Sequence, residues 1–552
     1  MTSRPKVIDS SLDCFPNCSS NLIVPIAGSL LFGFDFGATG SLLSTVGQYK
    51  NGFDDDRYSY FVLVANSEGL TGLIAAGSSI GATVTFLFLL FLGNQVPKND
   101  EIIISALFYF IGALFESLSG SLPWRNINGL VLLISGRLLY GAGIALSFHS
   151  VPEYISEISP KIGRGSVCSL TEAMAVVGVC LGFLVGYLAG AENGFVVSFR
   201  VGYIIALFMG CLAIFLPRSP LYLLKNGADE MEILESLQYT QPTATLELVA
   251  ELRKSYESGK AIKTQWEKKL IGRLENVLNK GFGTQILLWL PSEVKVLFMS
   301  RTLRRCLLLA LLLVFLQQFS GQGAILYYSG EIFGELCPNS QADCVIGFGM
   351  VKLFFVIVMV FAADWWGRRK FLIGGASFMT LGLVLLCVGL SQKQYPLALL
   401  GIFMSAAANE VSLATLLWVV LCEIFPQFVR SAAMSIAIAT LFMWSSIVVF
   451  ILPYIAANVG LLVVFITYTV TAGISVVLMY FLVPETRGID LEISYKLVNI
   501  RIDKTTKCCR SESMRDQSDE YVQPTFDLRE SDEDLRPPSS SVPPRQGSYN
   551  SI

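Results

Sequence analysis

Charge and histidine are both scarce in this chain of 552 residues. Only 15% of the residues are charged and one is histidine, whereas 53% are apolar and the mean hydropathy is +0.58. A soluble protein of this length needs a more polar surface, so the composition excludes that class and predicts a chain surrounded mostly by lipid. The net charge of −3 gives no reason to expect a nucleic-acid partner.

Catalytic signatures are missing as well. The sequence has no catalytic triad, no glycine-rich phosphate loop and no cluster of metal ligands, so we predict neither an enzyme nor a cofactor or metal site. The first twenty residues are polar, and the first apolar run is already long enough to cross a bilayer. A cleavable signal peptide is therefore not predicted.

Long apolar runs dominate what is present. A hydrocarbon layer ~30 Å thick needs about 20 helical residues. The runs predict an all-α membrane protein with twelve transmembrane helices in two six-helix halves. We place the first six near 21–43, 61–92, 102–120, 128–150, 167–190 and 200–217, and the second of these is long enough to include an interfacial turn. The other six lie near 306–333, 345–363, 371–391, 397–422, 432–457 and 460–483.

The remaining segments complete the predicted domain organisation. We assign 1–20 to an N-terminal segment, 21–224 to the first half, 225–305 to a helical linker, 306–484 to the second half and 485–552 to a disordered tail rich in serine, proline and acidic groups. The linker carries many Lys and Arg residues, so it is predicted to be cytosolic, as are both termini. We expect the plasma membrane by class, with a vacuolar or plastid membrane as alternatives; the sequence does not predict an oligomeric state.

Two pairs of cysteines stand outside the apolar runs. Cys337 and Cys344 lie in the loop after span seven, on the predicted non-cytosolic side, where either a disulfide or two free thiols would fit. Cys508 and Cys509 follow the last span near basic residues, a setting that suits palmitoylation, with unmodified thiols as the alternative.

Five charged residues fall inside predicted spans. A charged side chain at mid-bilayer costs roughly 2.5–3.5 kcal/mol on insertion scales, so each needs a partner or a wet cavity. Any one of them alone could be a structural ion pair. Together they predict a polar path between the helices, and they are Asp35, Arg137, Glu172, Lys352 and Glu410.

One motif occurs once in each half. The strings "PEYISEISPKIGRG" after span four and "CEIFPQFVRS" after span ten each place a carboxylate seven residues before an arginine, as Glu157 with Arg164 and Glu423 with Arg430. This repeat is typical of two related halves that rock about a central site.

A third string, "ADWWGRRKF" after span eight, supplies further groups for the same edge of the bundle. We predict Asp364, Arg368 and Arg369 as partners of Glu423. Such ion pairs would form a cytosolic latch that closes in one state and opens in the other.

Six strings in this order resemble the sugar porter family of the major facilitator superfamily, over about 20–490. They are "GFDFGATG", "GRLLYGAGIALSFHSVPEYISE", "QQFSGQGAILYYS", "DWWGRRK", "WVVLCEIFPQFVR" and "VPETRG". The subgroup most similar in look is the plant and algal xylose-proton symporter-like proteins, which also have a histidine where His149 stands; class III facilitated glucose transporters come next. The resemblance implies a sugar transporter that works by alternating access.

The resemblance also implies a sugar site. Gln317 and Gln318 match amides that hydrogen-bond sugar hydroxyls, because an amide both donates and accepts. Trp418 matches an aromatic floor for the sugar ring. Tyr327 and Tyr328 match an outer gate in span seven.

The charged residues acquire roles by the same resemblance. Asp35 and Arg137 match the pair that couples transport to protons in symporters. Glu172 occupies the position of a sugar-binding amide, and Glu410 is placed with the substrate site as a cavity or gating residue. Spans five and eight face one another in this fold, so we predict a salt bridge between Glu172 and Lys352 that joins the halves.

Three departures from the family pattern lead to further expectations. The basic loop after span two is replaced by "GNQVPKND", and Arg218 stands where an acid is usual, so we predict that Arg218 supplies the cation for Glu157. Simple drift is the alternative. Gly323 replaces a sugar-binding Asn, and "SLATLLW" before Trp418 lacks the usual proline, so span ten is expected to be straighter.

These patterns favour a proton-coupled monosaccharide symporter for a hexose or pentose. A facilitative uniporter on the same fold is the first alternative, with Asp35 and Arg137 as a permanent structural pair. A porter-like sugar sensor is the second. The sugar cannot be named from the sequence.

Overall fold

The structure of the protein is a computed structural model that describes the helical body of the chain. The described residues are 15–50, 59–92, 96–121, 127–158, 164–240, 244–254, 256–257, 260–261, 264, 291–362, 367–486 and 495–503. Within them, twelve helical segments are long and apolar enough to cross a membrane, and none of the described residues forms a strand. The all-α, twelve-span prediction is confirmed.

The first six spans follow the predicted order with shifted ends. Span 1 lies in helix Phe15–Lys50, span 2 in Glu68–Leu92, span 3 in Lys98–Ser121, span 4 in Ile127–Ile158, and spans 5 and 6 in the helix Arg164–Ala213. A separate short helix, Ser59–Ala65, precedes span 2, as the predicted interfacial turn requires. Gly190 separates spans 5 and 6 at a φ of 74°, a left-handed conformation that suits glycine.

The second six spans are more broken. Span 7 consists of Arg301–Gln318 and Gln322–Tyr327, followed by helix Ser329–Leu336; span 8 is Gln341–Ala362, span 9 is Arg368–Ser391, span 11 is Gln427–Val459 and span 12 is Leu461–Leu482. Span 10 runs from Tyr395–Asn409 through a π-helical turn, Glu410–Ala414, to Leu416–Ile424.

The π-helical turn corrects the expectation of a straighter span 10. The proline is absent, but the helix is still interrupted, because the wider turn from Glu410 to Ala414 replaces ordinary α-helical bonding there. Such single-turn π segments occur frequently at functional sites.

Glycine allows close packing inside the first half. An ideal Cβ at Gly37 of span 1 would lie 2.5 Å from the backbone of Gly182 in span 5, so the two helices touch through their main chains. In span 7, glycine instead marks a break between the two helical parts. Gly321 lies at this break with a φ of 78°, a left-handed conformation, and it lies against the ring of Tyr468.

The two halves meet through apolar and aromatic side chains. Spans 5 and 8 share a buried cluster of Ala173, Val176 and Val356. Deeper in the bundle, the ring of Phe148 in span 4 lies 5.6 Å from the ring of Phe442 in span 11 and 6.4 Å from that of Trp418 in span 10. The halves are therefore in contact at their centre.

The connection between spans 6 and 7 defines one side of the bundle, here called the linker side; the opposite side is called the far side. Helices Pro220–Lys225, Glu230–Thr240 and Ser292–Met299 lie on the linker side. On the far side, Cys337 and Cys344 form a disulfide. Cys508, Cys509 and most of the predicted tail fall outside the described residues, and the predicted domain boundaries stay predictions.

Candidate functional site

A buried ion pair lies at the centre of the first half. Arg137 of span 4 donates from Nη1 to Asp35 of span 1, and the two side chains are 0% and 2% exposed. Ser78 of span 2 donates to the second Asp35 oxygen at 2.7 Å, and Thr39 donates to the first at 3.5 Å. Arg137 Nε also donates to the Ile74 carbonyl at 3.1 Å. The predicted pairing of Asp35 with Arg137 is present.

Glycine makes room for this arginine. An ideal Cβ at Gly77 would lie 2.8 Å from Arg137 Cβ, so a larger residue in span 2 would displace it.

Sequence reasoning missed a third group of this site, Glu116 of span 3. One of its oxygens lies 3.7 Å from Arg137 Nη1, and its side chain is 0% exposed. Neither oxygen has a hydrogen-bond partner among the described residues. The signal was available, because Glu116 is a charged residue in an apolar run like the five that were selected.

The predicted salt bridge between Glu172 and Lys352 is wrong for this structure. Lys352 Nζ donates to Glu410 Oε1, and these side chains are 4% and 1% exposed. Glu172 interacts electrostatically with both but has no ion pair within 4 Å in the described part of the chain. Glu410 begins the π-helical turn, which carries its carboxylate to Lys352.

Amide groups line spans 7 and 10 of the second half. Gln317, Gln322 and Asn409 each have a buried side-chain oxygen without a hydrogen-bond partner among the described residues. Gln322 also donates to Ser405 at 3.4 Å. The open side of Gly323 faces Gln318, whose Oε1 would lie 3.7 Å from an ideal Cβ. Buried acceptors left open in this way are the groups that a polyhydroxy ligand can satisfy.

The predicted gate tyrosines contact different helices. Tyr327 is buried, its ring lies 4.6 Å from that of Phe36 in span 1, and its hydroxyl lies 3.4 Å from Ser79 in span 2. Tyr328 instead donates to the Val449 carbonyl of its own half at 3.2 Å. Ser79 also lies 3.3 Å from Ser445 of span 11, so the halves touch toward the far side.

A cavity of about 220 Å³ lies on the far side, lined by residues of spans 1, 2 and 11 and of the helix Ser329–Leu336. Lys50, Glu68 and Glu331 line it, and Lys50 Nζ lies 2.7 Å from a Glu68 oxygen. Glu331 is exposed to solvent, and Lys50 and Glu68 are the charged groups that act on it. We call this cavity the vestibule; its charged lining consists of one lysine and two glutamates.

Buried charges also join the helices on the linker side. Lys98 Nζ lies 3.0 Å from Glu153 and 3.3 Å from Glu101, and His149 Nδ1 lies 2.8 Å from Glu101. Glu153 also accepts a hydrogen bond from Ser431 at the start of span 11. The halves are thus in contact on this side too.

This cluster corrects the prediction for Arg218. Arg218 is exposed and forms no ion pair with Glu157. The cation that acts on Glu157 is Lys98, which belongs to the unusual loop sequence itself. Burial raises the pKa of Glu157 to about 7, although a hydrogen bond with Ser219 acts to lower it. The Arg164 side chain lies outside the described residues.

The corresponding group in the second half is partly as predicted. Arg368 Nη2 lies 2.9 Å from Glu423, which confirms that ion pair, whereas Asp364 lies outside the described residues. Arg369 is not a partner of Glu423, because its guanidinium donates to the carbonyls of Val483 and Tyr480 at 2.9 and 2.7 Å. Arg430 donates to the Phe425 carbonyl at 3.3 Å.

Glu485 of the "VPETRG" string has a role that the sequence did not reveal. Its carboxylate accepts the backbone N–H groups of Arg368 and Arg369 at 3.0 and 3.3 Å, at the start of span 9. A carboxylate suits this position, since the first N–H groups of a helix lack intrahelical partners. Gly367, at a φ of 90°, lets the chain pass close to it.

The twelve spans, the paired halves and these clusters agree with a comparison against protein families. Residues 21–497 match the family described as "Sugar (and other) transporter". The chain belongs to this sugar transporter family. It is therefore a multi-pass integral membrane protein and a transporter, not an enzyme.

Two named relatives are similar to this chain over most of its length. D-xylose-proton symporter-like 3, chloroplastic, of Arabidopsis thaliana is 30% identical over 442 residues, covering 78% of this chain and 73% of the relative. Glucose transporter GlcP of Staphylococcus epidermidis is 25% identical over 441 residues, covering 79% and 86%.

Among solved structures, the xylose transporter XylE from E. coli in a partially occluded inward-open conformation has a TM-score of 0.66 at 22% identity, covering 86% of this chain and 99% of XylE. This likeness establishes the major facilitator fold.

Proposed function

We propose that this sugar transporter is a proton-coupled symporter for a monosaccharide, a hexose or a pentose. The Asp35–Arg137 pair carries the proposal, because it places an almost fully buried carboxylate in the bundle next to a cation. Motion that separates the two groups would leave the Asp35 carboxylate buried without its cation, and a proton bound there would remove that unpaired charge. Relatives named as a xylose-proton symporter-like protein and a glucose transporter support the substrate class.

The amides of the second half suit the sugar. Gln317, Gln318, Gln322 and Asn409 can each donate and accept, and three of them have open buried oxygens. The Trp418 ring, next to Phe148 of the other half, provides an apolar surface for a sugar ring. A sugar bound here would touch both halves, so its binding would favour their closure around it.

The contacts on the two sides suit the two gates of alternating access. We assign Tyr327 and Tyr328 to the outer gate, where Tyr327 meets Ser79 of the other half. We assign the Arg368–Glu423 pair and the Lys98 cluster to the inner gate. Lys352 and Glu410 form a buried ion pair at the border of the halves, with the half-buried Glu172 acting on both and Glu410 as a gating residue.

The orientation follows from the basic linker. We place the linker side and both termini in the cytosol, so that the vestibule and the Cys337–Cys344 disulfide face the opposite compartment. In the plasma membrane, the disulfide would face the oxidising outside of the cell, where disulfides persist. A plastid membrane is the alternative, because one similar protein is named as chloroplastic. The lipid bilayer is the expected environment of the spans.

Uptake into proteoliposomes tests this function. Labelled glucose and xylose are added with and without an inward proton gradient, for the wild type and Asp35→Asn. We expect the wild type to accumulate one of the sugars above equilibrium, and Asp35→Asn to exchange the sugar without accumulating it. Binding without any uptake would make the chain a sugar sensor and refute the proposal.

A uniporter is the second candidate. Asp35 accepts hydrogen bonds from Ser78 and Thr39 as well as from Arg137, and such a fully bonded carboxylate suits a permanent structural pair. Sugar equilibration that ignores the gradient in both variants would favour this candidate.

A further inference from the structure

One cation serves two carboxyl groups at the centre of the first half. Arg137 donates to Asp35 and lies 3.7 Å from Glu116, and all three side chains are at most 2% exposed. The other titratable group that faces Glu116 from span 4 is Tyr140, whose hydroxyl donates to the Leu31 carbonyl. The described neighbours of Glu116 therefore provide a single positive charge.

The charge balance of this cluster depends on one proton. With both carboxyl groups ionised, the site would carry a net negative charge away from water, which is costly because a buried charge needs a partner. One bound proton makes the site neutral. Asp35 already accepts bonds from Arg137, Ser78 and Thr39, whereas neither oxygen of Glu116 has a hydrogen-bond partner within the described residues. Glu116 is thus the carboxyl group that keeps the proton.

We propose that Glu116 is a second proton-binding carboxyl group of the transport site, so that the cluster of Asp35, Arg137 and Glu116 holds one proton, and holds it on Glu116. The inference rests on the proposed symport. The step is a simple protonation: a proton from solution forms an O–H bond with a Glu116 oxygen, and the same bond breaks when the proton returns to solution on the other side. Asp35 stays paired with Arg137 during this step.

This arrangement differs from a two-residue site in a testable way. An isolated Asp35–Arg137 pair is already neutral, so it binds a proton only at the expense of its ion pair. With Glu116 present, the empty site is negative and the loaded site is neutral. The extra carboxyl group therefore lets the site bind a proton without breaking the pair.

Glu116→Gln is the direct test, because glutamine has the shape of a protonated glutamate but cannot release the proton. We expect the wild type to exchange sugar more slowly at alkaline pH, where Glu116 loses its proton. Glu116→Gln should still exchange sugar, without this slowing at alkaline pH. Gradient-driven accumulation should be lost in the variant. Ser105→Ala is the matched control: Ser105 is buried in the same helix, and its hydroxyl donates to the nearby Ile102 carbonyl at 2.8 Å. The control should keep the accumulation and the pH profile of the wild type.

Glu116→Asp covers the case in which the glutamine variant does not fold. It retains a proton-binding group at a different distance from Arg137, so accumulation should persist with a shifted pH profile. Accumulation with the wild-type pH profile in Glu116→Gln, or an unshifted profile in Glu116→Asp, would overturn the inference.

Infrared spectroscopy of the purified protein separates this inference from the proposed function. A protonated carboxyl group has a C=O stretch distinct from that of a carboxylate, and we expect Glu116→Gln to remove one such band from the sugar-free wild type. If the wild type fails to accumulate sugar, symport is wrong, and the band alone then decides whether Glu116 holds a proton. A spectrum that Glu116→Gln leaves unchanged contradicts that assignment.

Discussion

Neutralising one member of the Lys352–Glu410 pair should harm the protein more than neutralising both. The two side chains are 4% and 1% exposed, so Lys352→Met or Glu410→Gln alone leaves a charge buried without its partner. Breaking a buried pair in this way costs about 3–5 kcal/mol. The double variant removes both charges, so it should recover part of that loss, with an interaction energy of roughly 2–3 kcal/mol.

The unfolding temperature of the purified protein in detergent measures this effect for the wild type, the two single variants and the double variant. A second cycle with Glu172→Gln and Lys352→Met is the matched comparison, and we expect a smaller interaction there because Glu172 forms no direct ion pair with Lys352. The reasoning would be refuted if the decreases in unfolding temperature of the two single variants simply added up in the Lys352–Glu410 double variant. It would also be refuted if the interaction between Glu172 and Lys352 were the stronger of the two.

Three further changes test other parts of the structure. Lys98→Met should lower the unfolding temperature clearly, because it strands buried carboxylates, whereas Arg218→Met should leave it nearly unchanged; equal effects would contradict the assignment of Lys98 as the linker-side cation. Replacing Cys337 and Cys344 by serine should cost roughly 2–3 kcal/mol by the loop-entropy estimate, seen as a lower unfolding temperature, and no change would argue against the disulfide. Burial raises the pKa of Glu157 from 4.5 to about 7, so its neutral form contributes stability that is present below pH 4.5 and lost as pH rises through about 7. Glu157→Gln should flatten the pH dependence of the unfolding temperature over that range, and an unchanged pH dependence would exclude this role.

The apolar runs were enough to predict the fold. Each span needs a minimum length of apolar residues, and this requirement is visible along the chain without knowledge of its partners. Charged helix ends were less predictable. Span 3 was predicted to begin at residue 102, but its helix begins at Lys98. Lys98 and Glu101 can lie in the buried part of this helix, with 5% and 3% of their surface exposed, because they form an ion pair with one another.

Only some partners between distant helices could be predicted from the sequence: the Asp35–Arg137 and Arg368–Glu423 pairs are present, whereas two other pairings were wrong. The charged residues Glu172, Lys352 and Glu410 were all identified, yet the pairing was wrong, since the π-helical turn determines which carboxylate reaches the lysine. Arg218 was similarly chosen by its position in a motif, although it points to solvent. Sequence shows which residues need a partner; the packing of the helices decides which partner they have.

The most direct test of proton coupling is the pH outside the vesicles during sugar entry. Proteoliposomes without an imposed gradient are mixed with the transported sugar in a weakly buffered solution containing a pH-sensitive dye. We predict that the wild type makes the outside more alkaline as sugar enters, and that Asp35→Asn does not. Sugar entry without any alkalinisation in the wild type would contradict proton symport.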